Sequence, residues 1–291
     1  MNKTLFISAY NRDKILLKVI KKAKSCKGYD EYNKILVLQK RSNLADESIV
    51  KAVLKIDNNI KIIKTFFGKK YTLFSKYNNN IYRGFKEAFE HFNSEFVIHL
   101  EDDILPAYDC LNFLEHTILL YKNDVKYFAS AAFSKEFNFF SKNLNFAYSK
   151  FIYGIGTKGW GIHRNNWKMF KNLVKPILIP SADTFVDCHI EHTLKKSFYV
   201  IMPYRSRSFE IPSDGMNTKK IESSEMVMHR NEWYKSFLKK KFYNIQEYVY
   251  RSNLPYSWRK DCIKFNLINQ FLFLYLLTWL RKVINFILLK K

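Results

Sequence analysis

Glycine and proline are scarce in this chain, with 8 Gly and 6 Pro in 291 residues. So few turn formers exclude an all-β, turn-rich architecture and long flexible linkers. The 4 Cys stand at 26, 110, 188 and 262, no two of them at a CxxC spacing. That argues against a zinc site or a disulfide framework and fits reduced thiols in a cytosolic compartment. Acids are few, 26 against 49 Lys and Arg, and the formal net charge is +23. Such a surface suits a polyanionic partner: nucleic acid, an anionic membrane or a phosphorylated ligand. Residues 1–10 lack the apolar region and small-residue cleavage site of a signal peptide and read as a strand, so a chain that is not secreted is expected. Apolar residues make up 47%, enough for a sizeable core and too many for intrinsic disorder.

The pattern along the first hundred residues is regular. Short β-branched runs at 4–9, 34–39, 60–66 and 96–100 alternate with helical patterns, at Ile15, Leu16, Val19 and Ile20, at Ile49, Val50, Val53 and Leu54, and over 83–93. This β-α rhythm predicts an α/β domain with a doubly wound, mostly parallel sheet. Ligands of such sheets sit beyond the carboxyl ends of the strands, which selects residues 9–13, 39–43 and 101–106. A further helix is expected over 108–121 and aromatic-rich strands over 127–220. A catalytic domain over 1–220 and a basic helical extension over 221–291 are the expected division.

Four constellations carry chemistry. The sharpest is residues 99–106, where Glu101, Asp102 and Asp103 end a buried apolar strand. Three adjacent carboxylates repel one another; a divalent cation relieves that, and Mg²⁺ or Mn²⁺ prefers oxygen ligands shared with phosphates. The alternative is a solvated cluster favouring the N-terminus of the next helix. Second, residues 154–161 hold four of the eight Gly, around Trp160. They form either a floor for a sugar with Trp160 as a stacking plate, or a tight bend that packs Trp160 in the core. Third, residues 185–192 contain Asp187, His189, Glu191 and His192, which suit a single acid as general base, a metal cluster, or simply a capped helix start. Fourth, Arg205 and Arg207 on one strand face, before a polar loop, suit a pyrophosphate or a solvated edge strand.

In this order the elements resemble the GT-A glycosyltransferases. More narrowly, they are similar to the inverting N-acetylglucosaminyltransferase type that begins complex N-glycans and to bacterial sugar transferases on that plan. The matching pieces are Asn11-Arg12, Gln39-Lys40, residues 100–103 (Leu-Glu-Asp-Asp), Gly159-Trp160, residues 185–187, and residues 206–208 with the loop to Gly215. Lys40 stands where that type has an acid, and Val186 where it has Trp. The resemblance implies a GT-A, Rossmann-like sheet flanked by helices and a nucleotide-sugar donor, a UDP-sugar favoured. It implies Mn²⁺ or Mg²⁺ on Asp103 and Asp187 as the base that makes the reaction inverting. Donor contacts fall to Ala9, Asn11, Arg12, Gln39, Glu101, Asp102, Trp160 and Arg207. The sugar moved would be a hexose or N-acetylhexosamine, and the acceptor a glycan or lipid-linked hydroxyl of a bacterial surface polymer.

Residues 219–291 carry 15 Lys and Arg against 5 Asp and Glu. Within them, 265–280 is apolar until Arg281-Lys282, shorter than the ~20 residues a spanning helix needs. An interfacial helix on an anionic membrane is expected, placing the protein at the inner face of the cytoplasmic membrane. A helix docked on the domain and a tilted spanning helix are the alternatives. Two other activities were weighed. A nucleotidyltransferase shares this kind of sheet but usually carries a Gly-rich loop after the first strand, and residues 9–14 have no Gly. An RNA-binding module is disfavoured by the absence of RNP, KH and zinc-knuckle patterns, so no nucleic-acid partner is expected.

Overall fold

The computed structural model describes residues 1–133, 147–151, 158–194, 197–203 and 206–211, all within one compact unit, Met1–Val249. The expected boundary at 220/221 and the basic extension lie outside the described residues. Among those residues no helix is long and apolar enough to cross a membrane.

The first half follows the rhythm of the sequence. Strand β1 (Lys3–Ala9) leads to α1 (Asp13–Lys24), β2 (Asn33–Gln39) to α2 (Asn43–Ile56), and β3 (Ile60–Thr65) to α3 (Leu73–Lys86). Each strand is short and rich in β-branched or aromatic residues, and each helix buries one apolar stripe, as Leu16, Val19, Ile20 and Ala23 do in α1. Helix α3 starts ten residues before the expected 83 and passes into a π turn, Glu87–His91. Its start is set by Thr72, whose Oγ1 accepts from Ser75 N (3.1 Å). Strand β4 (Phe96–Glu101) is buried until its last residue.

After β4 come β5 (Ile104–Pro106), α4 (Cys110–Tyr121), β6 (Tyr127–Ala131), β7 (Ala147–Phe151), β8 (Trp160–His163), α5 (Trp167–Val174), α6 (Val186–Leu194), β9 (Tyr199–Pro203) and β10 (Ser208–Glu210). Among the described residues the main sheet has eight strands in the order β3-β2-β1-β4-β8-β6-β9-β7, and β10 pairs with β5. Four of the seven pairings are parallel: β3·β2, β2·β1, β1·β4 and β6·β9. The parallel run β3-β2-β1-β4 therefore brings Thr65, Gln39, Ala9 and Glu101 to one edge. The sheet is covered by an aromatic core: Phe85 of α3 lies 4.9 Å from Phe6, 5.0 Å from Trp160 and 4.8 Å from Phe170 between ring centroids. Gly84 lets α3 settle on β1, since a Cβ there would collide with the Phe6 ring.

Candidate active site

The register of β1 on β4 places Ser8 opposite Glu101, so the turn after β1 meets the turn after β4. Arg12 lies in that first turn. Its Nη2 is 2.6 Å from Asp102 Oδ1 and its Nη1 is 2.5 Å from Asp103 Oδ2. The acid triplet therefore has a cation, brought from 91 residues away in sequence, and the repulsion among its carboxylates is relieved within the chain. Asp102 is buried, and its second oxygen accepts from Tyr10 N at 3.2 Å. Burial pushes its carboxyl up to about 6 even against Arg12. Burial alone would lower Arg12, but Asp102, Asp103 and Glu101 hold it above its ordinary value. Both Asp102 oxygens accept hydrogen bonds from the protein, and Asp102 orients Arg12. Arg12 is the open member, 29% exposed against 4% for Asp102 and 10% for Asp103.

Glu101 accepts from the Tyr77 hydroxyl at 2.8 Å. Tyr77 belongs to α3, and its ring packs edge-on against Phe185 at 5.1 Å, two residues before Asp187. The next residue, Asn78, is buried and uses both ends of its amide. It donates to Ile177 O (3.1 Å) and Thr184 O (2.9 Å) and accepts from Val186 N (2.9 Å), the first residue of α6. Thr72 Oγ1 donates to Ala182 O at 2.6 Å, and Asn79 Nδ2 to Leu178 O at 3.0 Å. The stretch that delivers Asp187 is therefore bonded along α3, which also holds Glu101. Asp187 sits in the first turn of α6, and its Oδ1 is buried with no hydrogen bond among the described residues. Sequence reasoning passed over Tyr77, Asn78 and Thr72. The signal was present as Asn78-Asn79-Asn80 inside a helix, where Asn is a poor former unless its side chain has work elsewhere.

Ala9 ends β1 and is buried, whereas Asn11 is exposed beyond it. Gln39, at the end of β2, accepts from Asn80 Nδ2 at 3.4 Å, and Asn80 Oδ1 accepts from Thr65 Oγ1 at 2.7 Å. These residues share the strand-end edge with Glu101.

Two expected donor contacts are corrected. Trp160 is fully buried. It pairs with His99 across β8 and β4, and its Nε1 donates to His99 Nδ1 at 3.0 Å. It is a core residue, and no face is left for stacking on a sugar. The glycines beside it serve that packing: Gly159 has φ +89°, and a Cβ on Gly161 would lie 2.6 Å from Val97 O. Residues 154–157 of that motif lie outside the described residues. Arg207 is also fully buried, its Nε 2.9 Å from Asp109 Oδ2, with its backbone bonded to Ala107 and Ala132. It fastens β10 beside β5, immediately after the acid triplet, where Ile211 N also donates to Asp103 O at 2.8 Å. A guanidinium sealed in an ion pair does not reach a pyrophosphate. Arg205 lies outside the described residues.

The acid triplet offers only carboxylate oxygens, the chemistry that Mg²⁺ and Mn²⁺ prefer. No group of three or more His, Cys, Asp or Glu among the described residues is placed to cage a metal, which also removes the cluster reading of residues 187–192. The donor chemistry suits such a cation shared with ligand phosphates, although Asp103 Oδ2 already pairs with Arg12.

This architecture is the GT-A, Rossmann-like fold. Residues 1–349 of S. aureus TarS, solved in complex with UDP-GlcNAc, match with a TM-score of 0.50 and 11% identity over 85% of this chain and 69% of that one. The mannosyltransferase PcManGT of Pyrobaculum calidifontis, in complex with GDP-Man and Mn²⁺, gives 0.42 and 11% over 74% and 58%. A UDP-glucose pyrophosphorylase complexed with UDP-glucose gives 0.42 and 9% over 81% and 100%. At such identities the likeness is one of fold. No protein-family model and no curated protein matches the sequence.

Proposed function

We propose that the chain is an inverting glycosyltransferase that moves a sugar from a nucleotide-sugar donor, a UDP-sugar favoured, to an acceptor hydroxyl. The observation that carries the reading is the Arg12–Asp102–Asp103 cluster at the carboxyl edge of a GT-A sheet. Arg12, held by Asp102, presents positive charge to the donor's phosphates, in a partly buried setting where fixed charge acts most strongly. Glu101, steadied by Tyr77, accepts from ribose or sugar hydroxyls. Ala9, Asn11 and Gln39 line the nucleotide side. Asp103 would hold Mn²⁺ or Mg²⁺, which when bound supplies further charge to the leaving diphosphate. Asp187 takes the proton of the acceptor hydroxyl on its carboxylate as the oxygen attacks the anomeric carbon. One base acting in a single displacement inverts that carbon.

The sugar is a hexose or N-acetylhexosamine and the acceptor a bacterial surface glycan or its lipid-linked precursor. Residues 262–291 would rest on the anionic inner face of the cytoplasmic membrane. Asp187→Asn should leave donor binding intact and lower turnover by roughly 10²–10⁴, the range for loss of a general base. NMR of the product should show the inverted anomer; a retained anomer, or normal turnover in the Asn variant, removes Asp187 from this role.

A further inference from the structure

The loop after β3 is unusual in what it exposes. Phe66 is 77% exposed, Leu73 37% and Ile179 51%. Leu73 and Ile179 are neighbours, and Phe66 opens the loop that leads to Leu73. Tyr71 N donates to Gly68 O (3.1 Å), closing the loop on itself, and the Phe67 and Tyr71 rings meet at 5.4 Å. Thr72 N donates to Pro180 O at 2.9 Å and Asn79 Nδ2 to Leu178 O at 3.0 Å, so the turn carrying Ile179 lies along the start of α3 beside Leu73.

The charge around this apolar rim is mainly positive, with the exposed Asp183 beside Ala182 as an acid at its border. Between Asp57 and Glu87 the chain has no acid and carries seven cations; Lys61 and Lys86 pair with Glu87 and Glu90 at the far end of α3, which leaves Lys64, Lys69, Lys70, Lys76 and Arg83. Lys69 and Lys70 are exposed beside Phe66. The facing turn, residues 175–182, adds Lys175 and meets its first acid at Asp183. Large apolar side chains presented to water with lysines among them suit the headgroup region of an anionic bilayer: the rings and aliphatic groups enter the acyl boundary while the ammonium groups meet phosphates. A soluble anionic glycan would satisfy the lysines and leave Phe66, Leu73 and Ile179 in water.

We propose that residues 66–73 and the turn at Ile179 form a membrane-contact rim that sets the mouth of the site against an anionic lipid surface. The membrane contact is carried by residues other than 262–291 and follows from exposure and charge; that it sets the mouth of the site rests on the proposed function. Its place gives it consequence. Leu73 lies one helical turn before Tyr77, which holds Glu101, so a bilayer touching the rim lies beside the donor site, where a lipid-linked acceptor would present its headgroup.

The test uses the full chain and co-sedimentation with vesicles of phosphatidylglycerol and phosphatidylcholine, against phosphatidylcholine alone, at low salt. Lys69→Glu with Lys70→Glu should weaken binding to the anionic vesicles at least tenfold, and Phe66→Ser severalfold, with melting temperatures unchanged. Contacts to one membrane act together, so these losses register even if residues 262–291 also bind. Binding of either variant within twofold of the wild type overturns the proposal. So does a wild type that ignores vesicles but binds soluble polyphosphate through the same lysines with Phe66→Ser indifferent, since that describes a polyanion site. A fall in melting temperature for Phe66→Ser would assign the ring to packing and equally overturn it.

Discussion

The two halves of the sheet use their distinctive residues in opposite ways. In the parallel run β3-β2-β1-β4, the residues that depart from the apolar pattern stand at the strand ends or in the turns just past them: Arg12, Gln39, Glu101 and Asp103. In the mixed half and the separate β5-β10 pair, the residues that looked most functional, Trp160 and Arg207, are fully buried and hold β8 and β10 in place. The difference follows from topology. Parallel strands all end on one edge, so polar residues just past their ends gather there without disturbing the core. Antiparallel β8 enters the sheet beside the end of β4, so its first residue, Trp160, falls opposite His99 inside the sheet. A motif near the site in sequence can thus act as its foundation.

The sharpest way to break this contrast is Trp160→Ala. If the indole is scaffold, the variant should lose about 3–5 kcal/mol of stability, as large aromatic-to-Ala changes in cores do. The remaining folded fraction should bind donor normally. Urea unfolding with a donor titration at low denaturant checks both, and a stable variant that has lost donor binding would place Trp160 in the site after all.

Asn78→Ala tests the link between the halves. Removing the amide leaves Val186 N, Thr184 O and Ile177 O without their partner, and an unmade buried hydrogen bond costs about 1–3 kcal/mol. The expected kinetic signature is a fall in kcat of roughly tenfold or more with little change in donor KM, because misplacing a reacting group by about 1 Å is enough for such a loss. Asn78→Asp keeps one acceptor and should recover less than half of the loss on a logarithmic scale. Equal losses in kcat and donor affinity would mean that α3 supports the whole site and not the delivery of Asp187.

A further effect is graded with pH. Because the Trp160 indole can only donate, His99 Nδ1 accepts, and the ring proton on Nε2 donates to Ser8 Oγ at 2.8 Å. Burial lowers the imidazole to about 3. A histidine depressed in the folded state binds fewer protons than in the unfolded chain, so its contribution is complete above about 6.5 and is lost as pH falls from there toward 3. Stability should decline by about 1.4 kcal/mol per pH unit across that window from this group. Denaturation curves at pH 7, 6 and 5 check it, and a midpoint that does not move would show that the ring is not held neutral.

How much of this was legible in the sequence differs along the same divide. Strands β1 to β4 came from local periodicity, and the acid triplet stood out because three carboxylates close a buried run. Local pattern cannot show that Arg12 answers those carboxylates, since the contact depends on β1 lying parallel to β4. For Trp160 both a stacking and a core role were open, and the choice was made by His99, 61 residues away. Arg207 read as a phosphate ligand because its partner, Asp109, is 98 residues away. Asn78 carried a local signal, an amide run inside a helix, but its three partners lie about a hundred residues downstream.

The central claim is that the Arg12–Asp102–Asp103 edge receives a nucleotide sugar together with a divalent cation, and a thermal-shift comparison tests it most directly. Full-length wild type and Asp103→Ala would be melted with a panel of nucleotide sugars, with and without Mn²⁺. At about 100 times Kd a ligand adds about 2.7 kcal/mol, which for a domain of this size raises Tm by roughly 5–10 °C. The account predicts such a rise in the wild type with one donor class and Mn²⁺, and its loss in Asp103→Ala. No rise with any nucleotide sugar, or an equal Mn²⁺-dependent rise in Asp103→Ala, would contradict it.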